Sequence, residues 1–337
     1  MSFEVYGAGQ KESTNQKTVD FDKLNEYVVE TAGLQDRETL IGYVAAIVDL
    51  GTQEQPDAEN VFVGSEEDER KAIAEKPMTY FKDGFDPETK KSVRLKCWPQ
   101  KPVQCVAVAV DFSDILVDKG QFFGESKPLP LRLWLGGQFY IETTGMVIGR
   151  PTPLKVNKKL GDWSLDQKNL FYKMAVAAKQ IKPGEVYKPQ RISELLGKAF
   201  QFEAQVFFKE SKGKKYYTEY VKFVSGLGRG QAEPELLTKP LMIQFNKENE
   251  ADAVKDLRAH VVNTIKRASN YEGSVIKGQI ESIRGVQPAK TDNEPKTRVV
   301  YDQDDSTFHE VPVPAKKSRN MPNERVEEDF DDSELPF

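Results

Sequence analysis

Apolar and polar residues alternate over several long stretches of this chain, and only in a few places does the spacing lengthen to three and four. From Leu40 the run LIGYVAAIVDLGTQ is β-branched and nearly continuous up to Gly51, which predicts one long, largely buried strand. VRLKCWPQ at 93–100 and VQCVAVAVDFSDI at 103–115 predict two more strands joined by a proline-containing turn. LRLWLGG at 131–137 and FYIETTGMVIG at 139–149 repeat the pattern around a Gly-Gly break. The clearest signal lies further on, where AFQFEAQVFFKE and KKYYTEYVKFVS predict two long strands. Their connection, Ser211-Lys212-Gly213-Lys214, puts glycine where a hairpin turn requires positive φ.

Helical spacing is confined to 20–31, to an acidic segment at 66–75, to 162–179 and to 248–268. Leu165, Leu170, Met174 and Ala178 share a side in the third of these, and Val254, Leu257, Val261, Ile265 and Ala268 in the fourth. The charged, Gly- and Pro-punctuated stretch 56–91 reads as an insertion between two strands of one sheet. The expected organisation is an N-terminal arm at 1–37 and a body at 38–284. The body carries the insertion 56–91 and the C-terminal helix 248–268. A flexible linker at 285–323 and an acidic tail at 324–337 follow. Five or more antiparallel strands with an interposed helix and a closing hairpin predict a mainly β, α+β fold: an elaborated OB-like Greek-key barrel with accessory helices.

At 337 residues, 38% hydrophobic and 10% aromatic, the chain has material for a substantial core. Its net charge of −5 is unevenly placed: residues 324–337 carry −6, leaving +1 on the remainder. A body near neutrality can hold a basic groove if its cations cluster, so the overall acidity does not exclude a nucleic-acid partner. Cys97 and Cys105 read as reduced core residues, because two thiols and the distant His260 and His309 have no metal-ligand spacing. With no long apolar run and no charged-then-apolar leader, the expectation is a cytoplasmic protein without membrane contact, metal or cofactor.

The tail, ERVEEDFDDSELPF, sets seven carboxylates beside one arginine and ends on Leu335-Pro336-Phe337. Such a segment buries too little apolar surface to fold, and its charges repel, so it should stay solvated. A terminal ring plus a free carboxylate is a compact anchor for a basic, apolar pocket. This ending resembles that of bacterial and phage single-stranded DNA-binding proteins, with the match on Asp329, Asp331, Asp332, Glu334, Leu335, Pro336 and Phe337. GYVAAIVDLGTQ, LLGKAFQF and GKKYYTEYVKFVS also resemble phage members of the OB-fold group, over about residues 40–226. The insertion 56–91 and the region 150–190 depart from a minimal barrel. The resemblance implies a non-enzymatic protein of DNA replication, recombination or repair, working in the bacterial host cytoplasm. Its tail would recruit a polymerase, a helicase or primase, or a nuclease, and oligomers are compatible with it.

Period-two alternation nominates DNA-contacting residues. Arg94, Lys96 and Trp98 lie opposite Val93, Leu95 and Cys97, with Lys101 just beyond; Arg132 and Trp134 lie opposite Leu131, Leu133 and Leu135. In the hairpin, Phe207 and Lys209 look outward, as do Tyr216, Tyr220 and Lys222 on the returning strand. Lys212, Lys214 and Lys215 crowd the turn. Rings that stack on unpaired bases, interleaved with cations that track phosphates, are what sequence-tolerant binding of a single strand requires. A strand-annealing recombination protein needs the same groove, and an acidic-tailed adaptor would need none. Catalytic readings are weaker. Gly226, Gly228 and Gly230 lack the Lys-Ser/Thr of a phosphate loop, and Asp111, Asp114 and Asp118 lack a histidine or lysine partner. If the tail occupies the DNA groove in the absence of DNA, removing 324–337 raises oligonucleotide affinity at low salt; equal affinities of full-length and truncated chains in a binding titration exclude that autoinhibition.

Overall fold

A computed structural model describes residues 19–86, 89, 91–157, 163–211 and 213–284, together with the backbone of two short strands beyond them. Helix α1 (Phe21–Ala32) starts where the Asp20 carboxylate accepts from the Lys23 amide and ends at Gly33, φ 65°. It was expected in a peripheral arm, yet Leu24, Val28 and Val29 are buried in the main core. Strand β1 (Glu38–Gln53) is followed by β2 (Ala58–Phe62), α2 (Glu66–Glu75), β3 (Tyr80–Asp86), β4 (Lys91–Trp98) and β5 (Val103–Asp118). A short α3 (Gly120–Phe123) leads to β6 (Pro128–Trp134), and β7 (Gln138–Ile141) and β8 (Gly145–Ile148) make a small hairpin. Three two-residue strands follow, β9 (Thr152–Pro153), β10 (Val156–Asn157) and β11 (Ser164–Leu165). Helix α4 (Leu170–Ala177) and a 3₁₀ turn (Pro189–Leu195) precede the hairpin β12 (Ala199–Ser211) and β13 (Lys214–Ser225), whose turn has Gly213 at φ 73°. The chain then adds β14 (Leu241–Ile243), α5 (Ala251–Lys255), α6 (Ala259–Lys266) and α7 (Val275–Arg284). Two strands, β15 (Thr297–Asp302) and β16 (Thr307–Pro312), pair within the stretch expected to be a structureless linker.

The main sheet runs β13-β12-β1-β5-β6, and β13 comes back beside β6 to make a nearly closed antiparallel barrel. Counting only barrel strands in chain order, the circular order is first, second, third, fifth, fourth, which is that of an OB-like barrel. The length of β1 makes this possible. Its first half, Glu38 to Tyr43, pairs with β12, and its second half, Tyr43 to Gln53, pairs with β5. Two register shifts, at Val44/Ala46 and Asp49/Thr52, bend the strand around the barrel. At the second, Gly51 takes φ 72°, and a Cβ there would overlap the Phe245 ring.

Both faces of the β1–β5 ribbon are buried. Inward, Val44, Ile47, Val108, Val110 and Phe112 meet Phe200 and Phe202 of β12. Outward, Ala46, Ala107 and Ala109 are small enough for the C-terminal helices to seat Val254, Val261 and Ile265 against them. The single helix expected at 248–268 is broken between α5 and α6, and α7 adds a third segment to this layer. The helix expected over 162–179 is likewise shorter, because Leu165 belongs to β11.

The insertion is larger than 56–91. Strand β4 was expected to join the same sheet as β5, but it pairs with β2 and β3 in a separate three-stranded sheet. In outline the insertion is the far end of the β1–β5 ribbon: Ala58 faces Trp98, just past Gln53 facing Val103, with prolines 56, 99 and 102 at the break. Cys97 and Cys105 are free and buried, and burial pushes the Cys105 thiol up to about 11.

His260 of α6 packs edge-on to Trp134 with ring centroids 5.5 Å apart. Burial, with Arg258 beside it, pushes its pKa down to about 3. The unfolded chain binds a proton near pH 6.5 that the folded one refuses, so stability is lost as pH falls from about 6.5 toward 3. In urea titrations, His260→Gln should lose about 2 kcal/mol less than the parent between pH 7 and 5.

Candidate nucleic-acid interface

Barrels with this strand order use the outer face of their second and third strands, and the loops flanking it, to hold oligonucleotides. Here those strands are β5 and β6. Half of that face lies under α5–α7; over the other half a cleft of about 1040 Å³ opens between the barrel and the C-terminal layer.

The floor is a closed polar network. Asp111 on β5 is fully buried, and Arg132 opposite it on β6 grips both carboxylate oxygens, Nε at 2.6 Å and Nη2 at 2.8 Å. Thr238, from the segment crossing the barrel, donates to Asp111 at 2.7 Å, and Tyr43 of β1 donates at 3.3 Å. The Thr238 amide donates in turn to the Tyr43 hydroxyl. A carboxylate removed from water in this way is tolerated only because every lone-pair direction has a donor.

Along the cleft toward β13, Glu219 accepts from Gln138 Nε2 and from the Tyr217 hydroxyl, each at 2.9 Å. Burial pushes its carboxyl up, against the pull of Arg258 and these donors. Lys119 faces the same space, and burial together with the Arg258 charge lowers its pKa to about 8. Neither Lys119, Lys127 nor Arg258 forms an ion pair among the described residues. The opposite wall is acidic, with Glu248, Asp252 and Asp256 exposed on and around α5, while Glu250 pairs with Lys239 at 3.1 Å. The cleft is therefore electrostatically two-sided: cations on the barrel wall, carboxylates on the helical wall.

The residues nominated from the sequence fall in three places rather than in one groove. Arg132 lies in the cleft, but its charge is committed to Asp111. Trp134 is a correction: alternation assigns it to the outer face, and α6 covers that face, leaving the ring 3% exposed and unable to stack on a base. Arg94, Lys96 and Trp98 sit on the insertion's own sheet, half-buried. Arg94 is another correction, since Glu69 of α2 at 2.8 Å and Asp83 at 2.9 Å neutralise it. Lys101 is exposed in the connector between the two sheets.

On the hairpin the assignment of faces holds. Phe202, Ala204 and Val206 are in the core with Val221, and Tyr217 and Phe223 pack against it. Outward, Tyr216 is 50% exposed, Lys215 and Lys222 are exposed, and Phe207 and Lys209 are half-buried. The Tyr220 ring lies 4.4 Å beneath the Arg37 guanidinium. Lys212, the Lys214 side chain, and the tail residues Asp329, Asp331, Asp332, Glu334, Leu335, Pro336 and Phe337 lie outside the described residues. Lys119, Arg258 and Glu219 escaped sequence reasoning because no spacing links positions 119, 219 and 258; only the third dimension brings them together.

Of the acids weighed as metal ligands, Asp111 is consumed by Arg132, and Asp118 is hydrogen-bonded to Ser126 and to the Gly120 and Lys127 amides. No group of His, Cys, Asp and Glu able to hold a metal occurs among the described residues. No described helix is long and apolar enough to cross a membrane.

Arg132→Leu strands the Asp111 carboxylate and should destabilise the chain by about 3–5 kcal/mol, whereas adding Asp111→Leu should restore most of that loss; equilibrium unfolding of the two variants checks it. No family model, no curated protein and no solved structure matches this chain.

Proposed function

We propose that the chain binds single-stranded DNA without strong sequence preference, in DNA replication, recombination or repair, and that its acidic tip recruits partner proteins. One observation carries this reading. The OB-like strand order leaves a cleft on the outer face of β5 and β6, and that cleft has uncompensated cations, Lys119, Lys127 and Arg258, on its barrel wall. Apolar Leu129 and Leu237 border it, 43% and 42% exposed, and give bases a surface to rest on. A closed duplex is too wide for a space walled on one side by a carboxylate-bearing helix layer, whereas one strand can lay its phosphates along the cationic wall and turn its bases away from the acids. Tail charge and phage-type resemblance point the same way. No residue here is assigned a catalytic role, and affinity comes from stacking and from counterion release.

The test is fluorescence anisotropy with a labelled oligo-dT, a duplex of equal length and a salt series. Tight, salt-sensitive binding to the single strand and much weaker binding to the duplex is expected. Lys119→Glu with Arg258→Glu should weaken binding at least about tenfold, with thermal unfolding as the control for the fold. Binding should also weaken as pH rises past about 8, where Lys119 loses its charge. Binding to duplex intermediates with strand pairing would favour an annealing protein instead. No binding at low salt after removal of 324–337 would overturn the DNA reading and leave an adaptor.

A further inference from the structure

The barrel is not stitched all the way round. Among the described residues β6 and β13 form no hydrogen-bonded ladder, although they lie side by side. Along β13 this seam is divided. Tyr217 and Glu219 face the large cleft, and the Gln138–Glu219 hydrogen bond bridges the gap. The next two inward residues, Val221 and Phe223, floor a second, smaller cleft of about 270 Å³ together with Leu135 and Gly136.

Three lysines stand around that second mouth: Lys168 and Lys173, from the start of α4, and Lys222 from β13. All three are exposed, and none makes an ion pair or a side-chain hydrogen bond among the described residues. The chain brings them together deliberately. Asn169 caps α4 by accepting from the Phe171 amide, and Phe171 and Met174 anchor that helix in the barrel core. The anchoring turns Lys173 back over the seam. Gly136, at φ 91°, lets the strand end pass so close to the Arg150 carbonyl that any side chain would collide. Cations converging on a concave, open-backed site repel one another, and a bound oxyanion relieves that repulsion.

We propose that Lys168, Lys173 and Lys222 form a second phosphate-binding site at the β6–β13 seam, taking a backbone phosphate of a single strand whose adjoining nucleotides lie in the large cleft. The proposal rests on the single-strand reading. It adds a route: past the Glu219 bridge, the strand crosses the seam and reaches the outward face of β12 and β13, where Tyr220 under Arg37 and the half-exposed Tyr216 offer rings. Hairpin face and cleft, separate in the fold, become consecutive segments of one path.

The test compares the parent with Lys168→Gln/Lys173→Gln/Lys222→Gln. All three side chains are exposed, so an unchanged thermal midpoint is expected. On a long oligo-dT, the slope of log K against log[salt] should fall by about 0.7 for each lost phosphate contact, roughly 2 in all, and affinity at low salt should drop at least about tenfold. An oligonucleotide too short to leave the large cleft should bind parent and variant alike. Parent binding of long oligo-dT with an unchanged slope in the variant overturns the site while leaving the single-strand function standing. Calorimetry with inorganic tripolyphosphate gives a readout independent of DNA. If the parent binds no oligonucleotide, saturable tripolyphosphate binding that disappears in the variant sustains the site as one for a free polyphosphate. No tripolyphosphate binding in that case overturns it.

Discussion

Everything in this molecule depends on covering two faces of one ribbon. Strands β1 and β5 run together for most of their length, and each carries apolar side chains on both sides. A ribbon of that kind is unstable in water until both sides are covered. The inner side is satisfied by curling the sheet into a barrel around Phe112, Phe200 and Phe202, plugged by α1 and α4. The outer side needs an independent cover, which the chain supplies from its C-terminal third. The sizes of the side chains tell the two apart: valine and isoleucine point inward, alanine outward. At roughly 25 cal/mol per Å² of apolar surface removed from water, leaving the alanine side uncovered would forfeit the burial of Val254, Val261, Ile265 and Ile276 as well.

That second cover decides where chemistry can happen. It lies over the part of β5 and β6 nearest the insertion and stops short of Arg132, so the exposed remainder of the face becomes a cleft rather than an open platform. Within it, the Asp111–Arg132 pair is structural: a fully buried carboxylate held by a bidentate guanidinium and two hydroxyls has no capacity left for a ligand. The uncommitted charges lie a short way along, around Glu219. Its hydrogen bonds to Tyr217 and Gln138 tie β13 to the chain leaving β6 where the sheet itself makes no bond. The barrel is thus closed by side chains at one point and left open beside it.

Strand periodicity made the barrel legible. The long β1, the hairpin turn at Gly213 and the inward placement of Phe202 and Val206 follow from alternation and from glycine's freedom at positive φ. Alternation could not say what covers an outward face. Trp134 and Arg132 sit on the side expected, yet one is sealed by α6 and the other bound to Asp111, because both partners come from distant parts of the chain. Arg94 failed in the same way, through an ion pair to a helix 25 residues earlier. Strand β4 was misplaced for another reason. A proline-rich break between two strands looks alike whether they turn back on each other or continue into a new sheet. The cations of the two clefts were invisible, as no local pattern marks a lysine whose neighbours are set by topology.

The continuation of the β1–β5 ribbon into the insertion has an architectural meaning of its own. Residues 58–98 form a sheet and a helix whose bonds are almost wholly internal, such as Tyr80 to Asp57 and Arg94 to Glu69, and only two short proline-marked connectors join them to the barrel. The paired ends of those connectors lie side by side, as the two ends of a hairpin turn would. To the barrel, then, forty residues of sheet and helix are topologically equivalent to a tight turn. That makes the outer end of the ribbon a socket, at which size, charge and recognition surface can change from one protein to another without a single core contact being renegotiated.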